Sequence, residues 1–299
     1  MRGTPSIALI LAILFFPHEE PLGQEDGREG DRRFRRERET WMKSERSPLA
    51  LARLFWLKPG ENRFGVDAAN DIILPEGTAP GKVGRFLLDK EQVRLLVDNP
   101  TAAVILGNQE VRDRILKADS AGTPDVVHLG DLRMRILQRG NRFAVRLVYT
   151  KNPPLLVFKR LDFFDIDPAY RIEARFVPYQ PPKKVQITSV TGQIEGADCP
   201  GVAQFTLEGK DFSLEPILES PKSKQLFFIF KDLTNGQETY EAGRFLYTDL
   251  PKGNSLILNF NQAHNPYCAY SPYSTCPLPP RQNWLKAAIK AGEKKYPHP

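Results

Sequence analysis

The reactive side chains of this chain are few and gather late in it. Cys268 and Cys276 lie eight residues apart in NPYCAYSPYSTCPLPP, residues 265–280, a segment with five prolines, three tyrosines and no charge. A thiol pair at that spacing supports three kinds of chemistry. In an exported chain it reads as a local disulfide, which in the chain-entropy treatment stabilises so short a loop by about 2.5 kcal/mol. Prolines in and beside the loop would already restrict the unfolded chain. As a metal site the pair would draw on His264, yet its separation exceeds the two-to-four spacing of tight zinc knuckles and no fourth ligand is evident. As a nucleophile, a thiolate would use His264 as its base, without an orienting third group in view. Cys199, in ADCPG, stands apart. The covalent reading is the expectation, and it makes residues 265–280 a pinned strap.

A second constellation is polar. It comprises Arg244 in EAGRFL, Asn259 and Asn261 in LNFNQAH, then Asn265, Asn283 and Glu293. Asn259 and Asn261 share strand parity and so one face. Beside an arginine and under a proline-rich strap, such a pair could form a pocket for an anion or carboxylate in a barrel mouth. Tyr267, with Tyr270 and Tyr273, could line it, although tyrosines also serve as covers with one wet end. Asparagines at 265 and 283 also suit caps and turns. Arg244, Asn259, Asn261, Asn265, Tyr267, Asn283 and Glu293 therefore form the candidate ligand-binding set. No catalytic residue, metal ligand or cofactor is assigned. The serine nucleophile elbow, the Walker loop and the dinucleotide fingerprint are absent from the sequence.

The elements that must position these groups read as mostly β. Leu132, Met134 and Ile136 alternate with Arg133 and Arg135, and Phe143, Val145 and Leu147 alternate with Arg142, Ala144 and Arg146. That period marks strands with one buried and one wet face. Turn residues recur at Pro59-Gly60, Gly107-Asn108 and Gly140-Asn141, a punctuation that suits an antiparallel sandwich over 58–150. Pro153-Pro154 places a linker at 151–160. The remainder, 161–299, offers VQITSVTGQI, VAQFTL, QLFFIF and SLILNF as strands of a small antiparallel β-barrel, with Asn235-Gly236 as a hairpin signal. Asp162, Asp165 and Asp167 read as a turn rather than a calcium loop. Asn283 would cap a terminal helix whose stripe is Trp284, Leu285, Ala288 and Ile289.

With 299 residues, two domains are the prior. A net charge of +6 with near-balanced signs gives no clustered basic face, so nucleic acid is not expected as a partner. Met1-Arg2 precedes an apolar run from Ile7 to Phe16, too short to span a bilayer and suited to a signal peptide over 1–24. The expectation is an exported protein, periplasmic or extracellular, with no transmembrane span once mature. Residues 25–57 form a charged helical lead-in, where Phe34 and Trp41, seven apart, share a docking face.

Two resemblances add to this. ENRFGVDAANDIILPEGTAPGKVGRFLLDKEQVRLL looks like a degenerate forkhead-associated domain, with a glycine after a strand, then Asn70-Asp71-Ile72-Ile73-Leu74, and later an inverted turn at Gly107-Asn108. The resemblance implies a β-sandwich that reads phosphothreonine. Here Val66 replaces the family's arginine, and Ala79-Pro80-Gly81-Lys82 replaces its serine-x-x-histidine, so a phosphopeptide partner is not expected. From roughly Trp41 onward the chain resembles a bacterial family of proteins catalogued as domain of unknown function 1684. The residues that carry the match are SPLALARLFWLKPGENRFG, ETYEAGRFL and NFNQAHNPYCAYSPYSTCPLPPRQNWLKAAIKAGEKKY. It implies no activity. The reading is an exported two-domain β protein that binds a small ligand or a protein. The alternative is a hydrolase or metal-assisted enzyme with its site under the strap.

Overall fold

A computed structural model describes residues 27–297. The run expected as a signal peptide lies outside the described residues. The chain divides into two compact units, Lys43–Phe158 on one side and Met1–Met42 with Lys159–Pro299 on the other.

The Lys43–Phe158 unit is a sandwich of two sheets. Its strands are β1 (Leu51–Trp56), β2 (Gly60–Gly65), β3 (Ile72–Ile73), β4 (Gly84–Asp89), β5 (Gln92–Val97), β6 (Val104–Leu106), β7 (Gln109–Glu110), β8 (Asp113–Leu116), β9 (Val127–Leu129), β10 (Leu132–Arg139) and β11 (Arg142–Tyr149). One sheet runs β1-β11-β10-β9-β6-β7 and the other β3-β2-β4-β5-β8. The period-two alternation settles which face is inside: Leu132, Met134 and Ile136 are buried, and so are Phe143, Val145 and Leu147 opposite them. The expected helical lead-in stops at Met42, and residues 51–56 are strand β1. The loop after β2 packs backbone on backbone, because a Cβ on Gly65 would come within 2.2 Å of the Gly81 carbonyl. Asn70 fastens that loop by donating Nδ2 to Asp67 O at 2.9 Å and Gly81 O at 2.8 Å.

The other unit begins with helix α1 (Gly27–Met42). It continues with β12 (Arg171–Thr188), β13 (Ile194–Leu207), β14 (Lys210–Leu214), β15 (Gln225–Phe230), β16 (Arg244–Asp249) and β17 (Ser255–Asn259). One sheet is ordered β14-β13-β12-β17, and β15-β16 form a second. A bulge between Pro178 and Lys183 lets the long β12–β13 hairpin serve two cores. Before the bulge, Ala174 and Phe176 face one cluster with Phe205, Phe228 and Phe260; after it, Val185 and Ile187 face another with Cys199, Phe227 and Phe245. Strand β15 lies between the clusters, with Phe227 and Ile229 on one side and Leu226, Phe228 and Phe230 on the other. That two-sided burial explains why QLFFIF is an unbroken apolar run.

The second cluster is bordered by main-chain pairings. Beta12 pairs with β13, Leu218 N–H donates to Asp198 O at 2.8 Å, and Ile217 and Phe227 exchange bonds of 2.8 and 3.0 Å. Beta15 pairs with β16, and Phe245 and His264 exchange two bonds of 2.9 Å. The strap adds two more: Leu278 N–H donates to Thr188 O at 2.7 Å and Val190 N–H to Cys276 O at 2.9 Å. The expected barrel is thus a partial one, with residues 264–278 running from the β16 side to the end of β12.

Two expectations about local structure are corrected. The final helix does not form: past a short 3-10 turn at Arg281–Asn283 the backbone is irregular to residue 297. Its polar groups are engaged elsewhere. Leu285 N–H bonds to Lys231 O, Glu293 N–H to Ala263 O and Lys294 N–H to Asp162 O, each at 2.7–2.8 Å. Gly292, at φ +79°, approaches so closely that a Cβ would lie 2.3 Å from Ala263 O. Leu285 and Ile289 are still buried, but Trp284 is half exposed between Lys231 and Arg281. Asn235-Gly236 is not a two-residue hairpin either. It sits within the 231–243 connection, where Asn235 Nδ2 donates to Tyr240 O at 2.6 Å.

Candidate functional site

Most of the polar residues picked from sequence turn out to join segments. Arg244 is fully buried; it donates to Asp232 Oδ2 at 2.7 Å, to Ile289 O at 2.8 Å and to Ala291 O, so it holds the tail where a helix was expected. Asn283 bridges strands, accepting from Glu215 N–H at 2.8 Å and donating to Glu215 O and Ile229 O at 2.8 and 2.9 Å. Asn259 and Asn261 do adjoin, with Asn261 Nδ2 3.2 Å from Asn259 Oδ1, but they tie α1 and the Asp167 turn to the sheet. Asp167 itself accepts from Ala169 N–H at 2.9 Å, as a turn-forming aspartate should.

Asn265 and Glu293 meet at a buried junction with Arg38 of α1. Arg38 Nε donates to Glu293 Oε2 at 2.9 Å and Nη2 to Asn265 O at 3.0 Å, while Asn265 Nδ2 donates to Glu293 Oε1 at 3.0 Å. Burial nevertheless raises the Glu293 carboxyl above its ordinary value. The sequence pointed to Phe34 and Trp41 as the docking face of α1. Phe34 packs 6.0 Å from the His264 ring, and Trp41 lies 5.4 Å from Tyr267.

The expected disulfide is absent: Cys199, Cys268 and Cys276 are not disulfide-bonded. Cys268 and Cys276 are adjacent, with Cys268 N–H 3.2 Å from Cys276 Sγ. The strap is held by the pairings at 188–190, at 245 and at Asn265 rather than by a covalent staple. Hydrogen bonds from Cys276 and Tyr240 hold the Cys268 thiol below its ordinary value, whereas burial pushes Cys199 up to about 11. His264 Nδ1 faces Gln262 O at 3.1 Å, and its ring lies among Phe34, Phe245 and Tyr247. Burial depresses His264 to about 3, so it is neutral at ordinary pH. Among the described residues no three or more of His, Cys, Asp and Glu group as metal ligands would.

The chemistry gathers instead around Tyr247. Tyr247 lies on β16 two residues beyond Phe245 and so points the same way, stacked on Phe227 at 4.6 Å and on His264 at 6.0 Å. Its hydroxyl donates to Glu219 Oε1 at 3.2 Å. Tyr247, Glu219, Tyr267, Trp41 and Phe34 are all half-buried. Burial pushes the Glu219 carboxyl up to about 7 and raises Tyr247 well above the ordinary tyrosine value, the latter helped by Glu219 and Tyr267 close by. Sequence reasoning put Tyr267 in the candidate set and read Phe34 and Trp41 only as a docking face, and it missed Glu219 and Tyr247. The available signal was the shared parity of Tyr247 with Phe245 and Glu219's place in the apolar stretch PILES.

A family profile described as "Protein of unknown function (DUF1684)" matches residues 157–294. An uncharacterised protein of Haloarcula marismortui, known from a solution structure, is 35% identical over 46% of this chain and 77% of its own, with a TM-score of 0.40. The chain belongs to the DUF1684 family. The match begins within two residues of the start of the second segment of the C-terminal unit at Lys159, so it covers that segment but not α1, and SPLALARLFWLKPGENRFG also lies outside it. Two forkhead-associated structures are also similar to this chain, each at 17% identity with a TM-score of 0.23. One is the FHA domain of FhaA in complex with an intracellular domain, covering 31% of this chain and 96% of its own. The other, from work on phosphothreonine-dependent FHA interactions, covers 32% and 92%. No curated protein matches.

Proposed function

We propose that the DUF1684 unit binds a small ligand at the mouth of its partial barrel, and that the protein does so outside the cytoplasm. The observation that carries the first part is the Glu219–Tyr247 pair, set in an aromatic wall of Tyr267, Trp41 and Phe34 that water still reaches. A concave apolar surface with a few convergent polar groups is the usual form of a ligand site. Trp41 stacks on Tyr267 and reports on the mouth. With Trp56 and Trp284 replaced by phenylalanine, its emission should shift on titration with the ligand and stay fixed in a Tyr247→Ala variant of unchanged fold. Emission indifferent to a broad panel of small organic ligands refutes the site.

Export rests on Arg2 and the apolar run Ile7–Phe16. Fractionation of cells that make the full chain should find it outside the cytoplasm; a wholly cytoplasmic pool of uncleaved chain contradicts this. The sandwich is assigned no phosphopeptide role. The Asp67 carboxylate lies where a Cβ on Gly81 would come within 2.5 Å of it, and an anion so placed opposes phosphate in that loop.

A second reading, hydrolysis, draws on Glu219 alone, because a carboxyl at about 7 suits proton transfer near neutrality. It requires turnover of a chromogenic ester panel that Glu219→Gln abolishes.

A further inference from the structure

Several buried and half-buried carboxylates of the DUF1684 unit are matched by a cation or by two amide donors, and Glu219 is not. Glu293 is matched by Arg38 at 2.9 Å, Asp232 by Arg244 at 2.7 Å, and Glu215 by Lys183 at 2.9 Å. Asp31 accepts from Asn259 at 2.6 Å and Gln262 at 2.9 Å. Glu219 receives a single hydrogen bond, from the Tyr247 hydroxyl at 3.2 Å, and among the described residues no basic side chain reaches it. The nearest lysines in sequence, Lys222 and Lys224, are exposed and make no ion pair with it. Lys183 is engaged by Glu215, and Arg38, whose charge is felt by Tyr247 and His264, is engaged by Glu293. His264 brings no charge, being neutral.

Resting on the reading of the mouth as a ligand site, we infer that its ligand is an organic cation, an amine or quaternary ammonium group, that pairs with Glu219 beside the ring of Tyr267. A crowded carboxylate without a counter-charge is costly, and an arriving cation removes that cost. The Tyr267 ring adds attraction for the same charge through its quadrupole. An anion would meet Glu219 with its own sign, and a neutral ligand would leave the carboxylate unmatched. The cation selects ionised Glu219, so binding near pH 7 releases a proton and strengthens as the pH rises through the Glu219 midpoint of about 7.

The test uses the full chain and four aryl probes of differing charge: benzylammonium, benzyltrimethylammonium, benzyl alcohol and benzoate. Trp41 emission and calorimetry follow binding at pH 6 and pH 8, in buffers of different ionisation enthalpy so that proton release is read directly. The inference expects both cations to bind about tenfold or more tightly than benzyl alcohol, to gain affinity from pH 6 to pH 8 and to release a proton near neutrality. Glu219→Gln should remove that preference and the proton release while leaving benzyl alcohol unchanged. Tyr247→Phe, which keeps the carboxylate and removes the one hydrogen bond that favours its ionisation, should retain cation binding with its pH dependence moved upward. It serves as the check if Glu219→Gln does not fold. Equal binding of alcohol and cations, or preference for benzoate, overturns the cation while the mouth survives as a site. No response to any of the four overturns both readings.

Discussion

Replacing Glu219 with glutamine keeps the shape of the side chain and an acceptor for Tyr247 but removes the titration, and the consequence for stability can be worked from the structure. The carboxyl moves from its ordinary 4.5 to about 7 on folding. At 1.36 kcal/mol per tenfold, and allowing for its partial exposure, that is on the order of 2–3 kcal/mol. Because the folded value is the higher one, the native protein binds the proton more tightly than the unfolded chain. The contribution is therefore whole below pH 4.5 and lost as the pH rises through about 7. His264 works the other way: depressed from 6.5 to about 3, it adds stability above pH 6.5 that falls away with acid. The two oppose each other between pH 4.5 and 6.5, so the wild-type profile alone is uninformative and the variant-minus-wild-type difference is the quantity to read. Thermal unfolding followed by near-UV circular dichroism at half-unit steps from pH 4 to pH 8.5 should show Glu219→Gln gaining on wild type as pH rises. At roughly 2–4 °C per kcal/mol for a unit of this size, the gain in Tm is about 4–12 °C across the range. Parallel curves throughout would refute the claim that this carboxyl is crowded and unpaired.

Other consequences follow from the packing around the mouth. Arg244→Met strands Asp232 in the core and should cost about 3–5 kcal/mol in urea unfolding, with much of the loss restored by a second change, Asp232→Asn. Gly243→Ala places a Cβ 2.4 Å from Pro279 Cγ and 2.7 Å from Phe230 O at φ +114°, and should cost about 1–3 kcal/mol while loosening the strap in hydrogen exchange. Iodoacetamide labelling read by mass spectrometry should modify half-buried Cys268 well before Cys199, which is buried and pushed up to about 11. Trp41→Ala should free α1 at its C-terminal turn, seen as faster exchange of amides near Met42.

The legible parts of the fold were those written in local pattern. Alternation at 132–136 and 143–147 named the inside of the sandwich, and the seven-residue spacing of Phe34 and Trp41 named the docking face of α1. QLFFIF announced a strand buried on both sides without revealing that two cores met there. The tail was misread because its apolar spacing suits a helix, while its carbonyls at 289 and 291 are taken by Arg244, which lies 45 residues earlier in the chain. The same remoteness hid the true work of Arg244, Asn259, Asn261 and Asn283, since a polar side chain in a motif looks alike whether it receives a ligand or a neighbouring strand. Cys268 and Cys276 were rightly put side by side, although as thiols in contact. Glu219 escaped notice because lacking a partner is a property of three dimensions; nothing in PILESPKSK shows that its lysines turn away.

The most direct measurement is a titration of the Glu219 side-chain carboxyl by carbon-13 NMR, in the free protein and with saturating benzylammonium. A wetted but crowded carboxyl waiting for a cation predicts a midpoint near 7 that falls by at least about one unit when the cation is present. A midpoint near the ordinary 4.5, unmoved by the cation, would contradict it.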